Sequence, residues 1–141
     1  MKKIFTFLLL AFVVTGSHAQ THKTFRNCRQ VMDSTILTSA YVKDMVAVWE
    51  PQIKADGGTG WDYVLDAGPS FNDQDPMSGN SYNEDYIFLF RALYKDSATP
   101  THTFKIKPST GKLYELDKAS NMWVQRKSDA ALMPIVVSLC K

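Results

Sequence analysis

Residues 85–117 restrict the fold more than any other part of the chain, because they alternate as a strand with one buried face must. Phe104 and Ile106 alternate with Lys105 and Lys107, a period of two that puts apolar and charged side chains on opposite sides. Pro108-Ser109-Thr110-Gly111 follows; proline presets φ for a turn, and glycine accepts the positive φ that closes it. The return arm, Lys112-Leu113-Tyr114-Glu115-Leu116, mixes apolar and charged residues again, and Asp117 ends it. The sequence therefore predicts a hairpin with arms 103–107 and 112–116. Upstream, Tyr86-Ile87-Phe88-Leu89-Phe90 is apolar on both parities, which predicts a central strand over 86–94 covered on both faces or nearly so. A loop ending in Pro100 is expected to join it to the hairpin.

The start of the chain reads as an address label rather than as fold. Lys2 and Lys3 precede an apolar run over 4–14 that is too short to span a bilayer, and Ser17-His18-Ala19 sets small residues at a cleavage site. A cleaved signal peptide over 1–19 is expected, with an N-terminal anchor as the competing reading. No cysteine follows the apolar run directly, so a lipid anchor is not expected. The mature form would be one globular domain over 20–141, secreted or periplasmic, with no membrane span. The full chain holds 16 basic and 14 acidic residues; without Lys2 and Lys3 the mature form balances 14 against 14. A neutral chain with scattered charges gives no reason to expect nucleic acid or an anionic membrane as partner.

The two cysteines, Cys28 and Cys140, lie near the two ends of that domain. In an oxidising compartment a structural disulfide between them is expected, against free thiols or an intermolecular bridge. Between residues 29 and 56, Val42, Met45, Val46, Trp49 and Ile53 recur as one stripe of an amphipathic helix. Asp33-Ser34 is a plausible cap region, Pro51 is expected to end or kink the helix near Trp49, and Asp56-Gly57-Gly58 to stop it. The β-branched residues of this region keep a strand reading open. Trp61, Tyr63 and Leu65 fall on one face of a short strand, and Met122-Trp123-Val124 reads as another. Towards the C-terminus, Ser128-Asp129 could cap a short helix, but Pro134 and the triplet Ile135-Val136-Val137 lean towards a final strand.

Residues 70–85 form a long polar segment with Asn72, Asp73, Asp75, Asn80, Asn83, Glu84 and Asp85. Laid on a calcium-loop template, Asp73, Asp75 and Glu84 fit, while Met77 and Ser78 stand where a ligand and the turn glycine belong. No metal and no cofactor is therefore expected. The segment is instead the first choice for a contact surface, with Asp73, Asp75, Tyr82, Glu84 and Tyr86 as partner-binding residues, because so long a loop in a small domain is more often functional than idle. The catalytic inventory is thin. His22 and His102 are the histidines beyond the leader; there is no G-x-S-x-G, P-loop or H-E-x-x-H. The carboxylate pairs Asp73/Asp75 and Glu84/Asp85 are the only acid–base candidates, and neighbouring carboxylates in a polar loop are usually just solvated. The chain is not expected to be an enzyme.

A helical N-terminal region followed by an antiparallel meander resembles the cystatin-like and NTF2-like α+β class. The stretch Lys107-Pro108-Ser109-Thr110-Gly111-Lys112-Leu113-Tyr114-Glu115 is similar to the strand–T-G-K–strand hairpins of small exported bacterial domains, such as PepSY-type modules and NTF2-fold immunity proteins. The resemblance implies an N-terminal helix packed on a curved antiparallel sheet of about four to five strands, and binding or inhibition of a protein partner. The absence of repeated helices before the sheet departs from both patterns. The expected function is a non-enzymatic protein-binding protein of immunity or inhibitor type. The alternative is a small apolar ligand held between helix and sheet by Trp49, Trp61, Phe88, Phe90 and Trp123.

Overall fold

The computed structural model describes residues 24–68 and 85–140. Two helices, α1 (Cys28–Thr38) and α2 (Ala40–Ala55), precede five strands: β1 (Gly60–Ala67), β2 (Tyr86–Tyr94), β3 (Ser97–Lys107), β4 (Lys112–Asp117) and β5 (Met122–Arg126). A short helix, α3 (Met133–Leu139), ends the described chain. The strands form one antiparallel sheet in the order β1-β2-β3-β4-β5, so the α+β expectation holds.

The helices begin and end where local chemistry dictates. Asn27 caps α1 by accepting from the Gln30 N–H at 3.0 Å, and the expected cap residues Asp33-Ser34 lie inside the helix. Asp33 instead pairs with Arg29 at 2.9 Å. At the other end of α2, Gly57 has φ +82°, and the Gly58 and Gly57 N–H groups reach the carbonyls of Ile53 and Lys54 at 2.8 and 3.2 Å. This pair of bonds satisfies carbonyls that the helix itself leaves open. Pro51 does not end α2. Trp49 and Ile53 on either side of it are buried, and anchoring both outweighs the one backbone bond that proline removes.

Two strand expectations change in detail. β2 and β3 are joined by the two residues Lys95 and Asp96, and β3 runs through Pro100 rather than starting after it. Thr101 is an extra residue in the ladder, between His102 opposite Phe90 and Pro100 opposite Arg91. β4 pairs with β3 only over Phe104–Lys107, so Pro100 lies where β3 has a free edge and its missing N–H costs no ladder bond. The final segment is a helix, not a strand. Pro134 sits in the first turn of α3, where the N–H it lacks has no intrahelical partner. The Cys28–Cys140 disulfide is formed, with Cα atoms 4.9 Å apart and a sequence separation of 112. It ties α3 to α1.

One face of the sheet builds the core. Phe88, Phe90, Phe104, Ile106 and Leu113 are buried together with Val31, Met32 and Ile36 of α1, Val42, Trp49 and Ile53 of α2, and Val136 of α3. Trp61 stacks on Phe90 at 5.6 Å, and Tyr41 meets Phe104 edge-on at 6.4 Å. The opposite parity of β2 is only half-buried, residue by residue. The strand expected to be covered on both faces or nearly so is buried on one face and half-buried on the other. Its second face is apolar, and none of the described helices covers it.

Gly111 shows how tightly the hairpin turn is held. It has φ +66°, and a Cβ there would come within 2.7 Å of the Met133 Cα. Only glycine satisfies both the turn and the approach of α3.

Candidate functional site

Strand parity assigns each side chain to a face, and register then decides which of them meet. On the inner face, Glu115 is the only acidic side chain buried among the described residues, 7% exposed. Its carboxylate accepts from the Tyr41 hydroxyl of α2 at 2.5 Å, from His102 Nδ1 of β3 at 3.0 Å, and from Arg126 Nε of β5 at 2.9 Å. Arg126 also closes an ion pair at 2.8 Å and lies over the Tyr41 ring at 4.5 Å. Burial alone would raise the pKa of Glu115, but the bonds from Tyr41, His102 and Arg126 outweigh it and hold the carboxyl below its usual range. Burial, then the same carboxylate, push the Tyr41 hydroxyl up. An ionised carboxylate only accepts, so Nδ1 of His102 carries the proton in this bond. The Trp49 ring packs edge-on against the imidazole at 5.0 Å.

A carboxylate behind an imidazole fixes its orientation, as a general base requires. Here the partners of Glu115 come from α2, β3 and β5, so the group acts as a polar cross-link between the helix layer and three strands. Among the described residues, no group of three or more histidine, cysteine or acidic side chains is placed to hold a metal ion.

The outer face is of another kind. Val64 of β1 stands opposite Leu89 of β2, with Ile87 and Leu93 on the same parity. Lys105 stands opposite Tyr114, and Leu116 opposite Trp123. The helix residues Tyr41, Trp49, Arg29, Asp33 and Glu50 meet Phe104, His102, Phe88, Tyr63 and Trp61, all on the inner face. The outer face receives none of these contacts. At its centre, the Lys105 ammonium lies 4.5 Å from the Trp123 ring and 5.6 Å from the Tyr114 ring, and pairs with Asp85 at 3.2 Å. Across the turn, Lys107 and Lys112 stand directly opposite each other. At the β1 end, Asp62 and Arg91 neutralise one another in a two-bond pair.

The expected site residues are placed as follows. Cys28 and Cys140 are bonded to each other. Tyr86, expected to border a contact surface, is 3% exposed and sits in the core, its hydroxyl 3.1 Å from Cys28 Sγ. Its parity, shared with Phe88 and Phe90, points it inwards. Asp73, Asp75, Tyr82 and Glu84 lie outside the described residues. The five aromatics expected around a ligand are split: Trp49, Trp61, Phe88 and Phe90 share the inner core, while Trp123 has the outer parity. Glu115, His102, Tyr41 and Arg126 were not singled out from the sequence, nor was the lysine row. One signal was available, since Glu115 shares the parity of the apolar Leu113 and a carboxylate on a buried parity is an anomaly.

Comparison of the chain with protein-family models, with curated proteins and with solved structures returns no match.

Proposed function

We propose that this chain is an exported, non-enzymatic binding protein that docks a protein partner on the outer face of its sheet. The observation that carries this reading is a face lined by Val64, Ile87, Leu89, Leu93, Leu116 and Trp123 that none of the described helices covers. Contiguous apolar surface of this sort marks interaction sites on proteins that otherwise remain soluble. A five-stranded sheet needs only one covered face to fold, which leaves the other for recognition. Export is supported by the leader-like residues 1–19 and by the disulfide, a bond that persists in oxidising compartments. Asp85, the last residue of the segment expected from the sequence to make contact, pairs with Lys105 on this face.

The test is affinity capture from the exported fraction of the source organism by the oxidised 20–141 chain and by its Leu89→Asp variant. Leu89 lies on the outer parity, so the variant should keep its thermal unfolding transition. One stoichiometric protein captured by the parent and lost by the variant is the expected result. Equal capture by both chains would refute docking on this face.

A further inference from the structure

We infer that the partner presents an acidic, extended segment to the β3–β4–β5 half of the outer face, where Lys105, Lys107 and Lys112 form a cationic row beside Tyr114 and Trp123. This inference rests on the docking reading above and names the partner's chemistry.

The register of the hairpin carries the argument. Lys107 and Lys112 are directly opposed across β3 and β4, so their side chains leave the same face about 5 Å apart. Like charges in that position destabilise a sheet. Among the described residues neither lysine has an ion-pair partner. Three arginines of the same fold do have acids: Arg91 pairs with Asp62, Arg29 with Asp33, and Arg126 with Glu115. What sets Lys107 and Lys112 apart is their direct opposition, a like-charge contact that a bound carboxylate resolves.

The third lysine shows the geometry such a carboxylate meets. Lys105 is only 14% exposed in its side chain, yet it holds Asp85 at 3.2 Å while lying against two aromatic rings. Lys107 repeats the arrangement one step along the strand, 5.9 Å from the Tyr114 ring, with no acid supplied. Residues two apart on a strand repeat at about 7 Å, the spacing at which alternate side chains of an extended peptide present their own carboxylates. The flanking Leu116 and Trp123 offer apolar contact to the rest of such a segment. That favours a polypeptide over a small anion.

The experiment is a titration of the oxidised 20–141 chain with a labelled octapeptide holding four glutamates, read by fluorescence anisotropy. Peptides with glutamine or lysine in their place, and a single-stranded oligonucleotide, serve as controls. The glutamate peptide should bind and the controls should not, and raised salt should weaken binding. Lys112→Glu is the decisive variant: it turns the opposed like pair into an ion pair, so it should raise Tm while weakening the glutamate peptide at least tenfold. A variant that folds better and binds worse separates recognition from stability. The inference is overturned by undiminished binding in Lys112→Glu, by equal binding of the glutamine peptide or the oligonucleotide, by no binding of the glutamate peptide, or by a dimer that Lys112→Glu dissociates. If Lys112→Glu still captures the natural partner that Leu89→Asp loses, the docking face stands and only the acidic assignment falls.

Discussion

Leu89 and Phe90 are neighbours in β2, yet they belong to two different kinds of surface. Phe90 is fully buried between Trp61, Tyr63 and Phe104. On its face even the one buried carboxylate has every partner it needs, from Tyr41, His102 and Arg126. Leu89 stands on the other face, beside Val64 and Thr103, where apolar side chains are half-buried and two lysines are opposed without an acid among the described residues. From β1 to β4 the inner face has the marks of a solved packing problem, and only Met122 and Val124 of β5 leave apolar area exposed there. The outer face has marks that folding alone does not explain, and such departures from local consistency gather at functional surfaces.

The sharpest way to break the comparison is to truncate one side chain on each face. Phe104→Ala should cost about 3–5 kcal/mol in chemical denaturation, since it empties the centre of a close-packed core. Leu89→Ala should cost under about 1 kcal/mol, because half-exposed positions away from packed features tolerate change. Equal costs would mean that both faces are buried alike.

Next in size is the bond between the ends. Replacing Cys28 and Cys140 by serine, or reducing the disulfide, should cost about 2–4 kcal/mol, most of it through the freed unfolded chain. Its loss should leave the outer face unchanged, so a double variant that still captures the partner would sharpen the division between what stabilises and what binds.

Glu115→Gln should be destabilising by about 1–3 kcal/mol, since it weakens bonds to a charged acceptor and strands Arg126. The pH dependence follows from the lowered pKa of Glu115 in the fold. Its contribution is present above the unfolded-state pKa, near the ordinary 4.5, and is lost as pH falls through the folded value. Urea titrations at stepped pH should show parent stability dropping in acid below that point, with a flatter curve for Glu115→Gln. Identical slopes would remove Glu115 as the cause.

The smallest effect has the opposite sign. Lys112→Glu should stabilise by a few tenths to about 1 kcal/mol, the range of a cross-strand charge pair; a loss of stability would show that the lysine pair is already relieved in the free protein.

Much of this fold could be read from local pattern. The period-two alternation around Phe104 and Ile106, the stripe from Val42 to Ile53, and the turn signals at Gly57 and Gly111 each express a rule acting over a few residues. Misreadings arose where tertiary contact outvoted propensity. Ile135-Val136-Val137 is helical because Pro134 lies in a first turn and Val136 is buried in the core shared with α1. Pro51 is carried inside α2 by the burial of Trp49 and Ile53. The site was less legible than the fold for a different reason. Parity can be counted along one strand, but the meeting of Glu115 with His102, or of Lys107 with Lys112, depends on register between strands. The four-residue turn at 108–111 sets that register; the turn itself was legible, but the pairing across it is not visible in the periodicity of either arm.

Hydroxyl-radical footprinting of the free, oxidised 20–141 chain, read residue by residue by mass spectrometry, tests the contrast between the faces most directly. Tyr114 and Trp123 on the outer face should oxidise at least tenfold faster than Phe88, Phe90 and Phe104 on the inner one, after correction for intrinsic reactivity. Protection of Tyr114 and Trp123 equal to that of the core phenylalanines would contradict an open outer face, and the docking function with it.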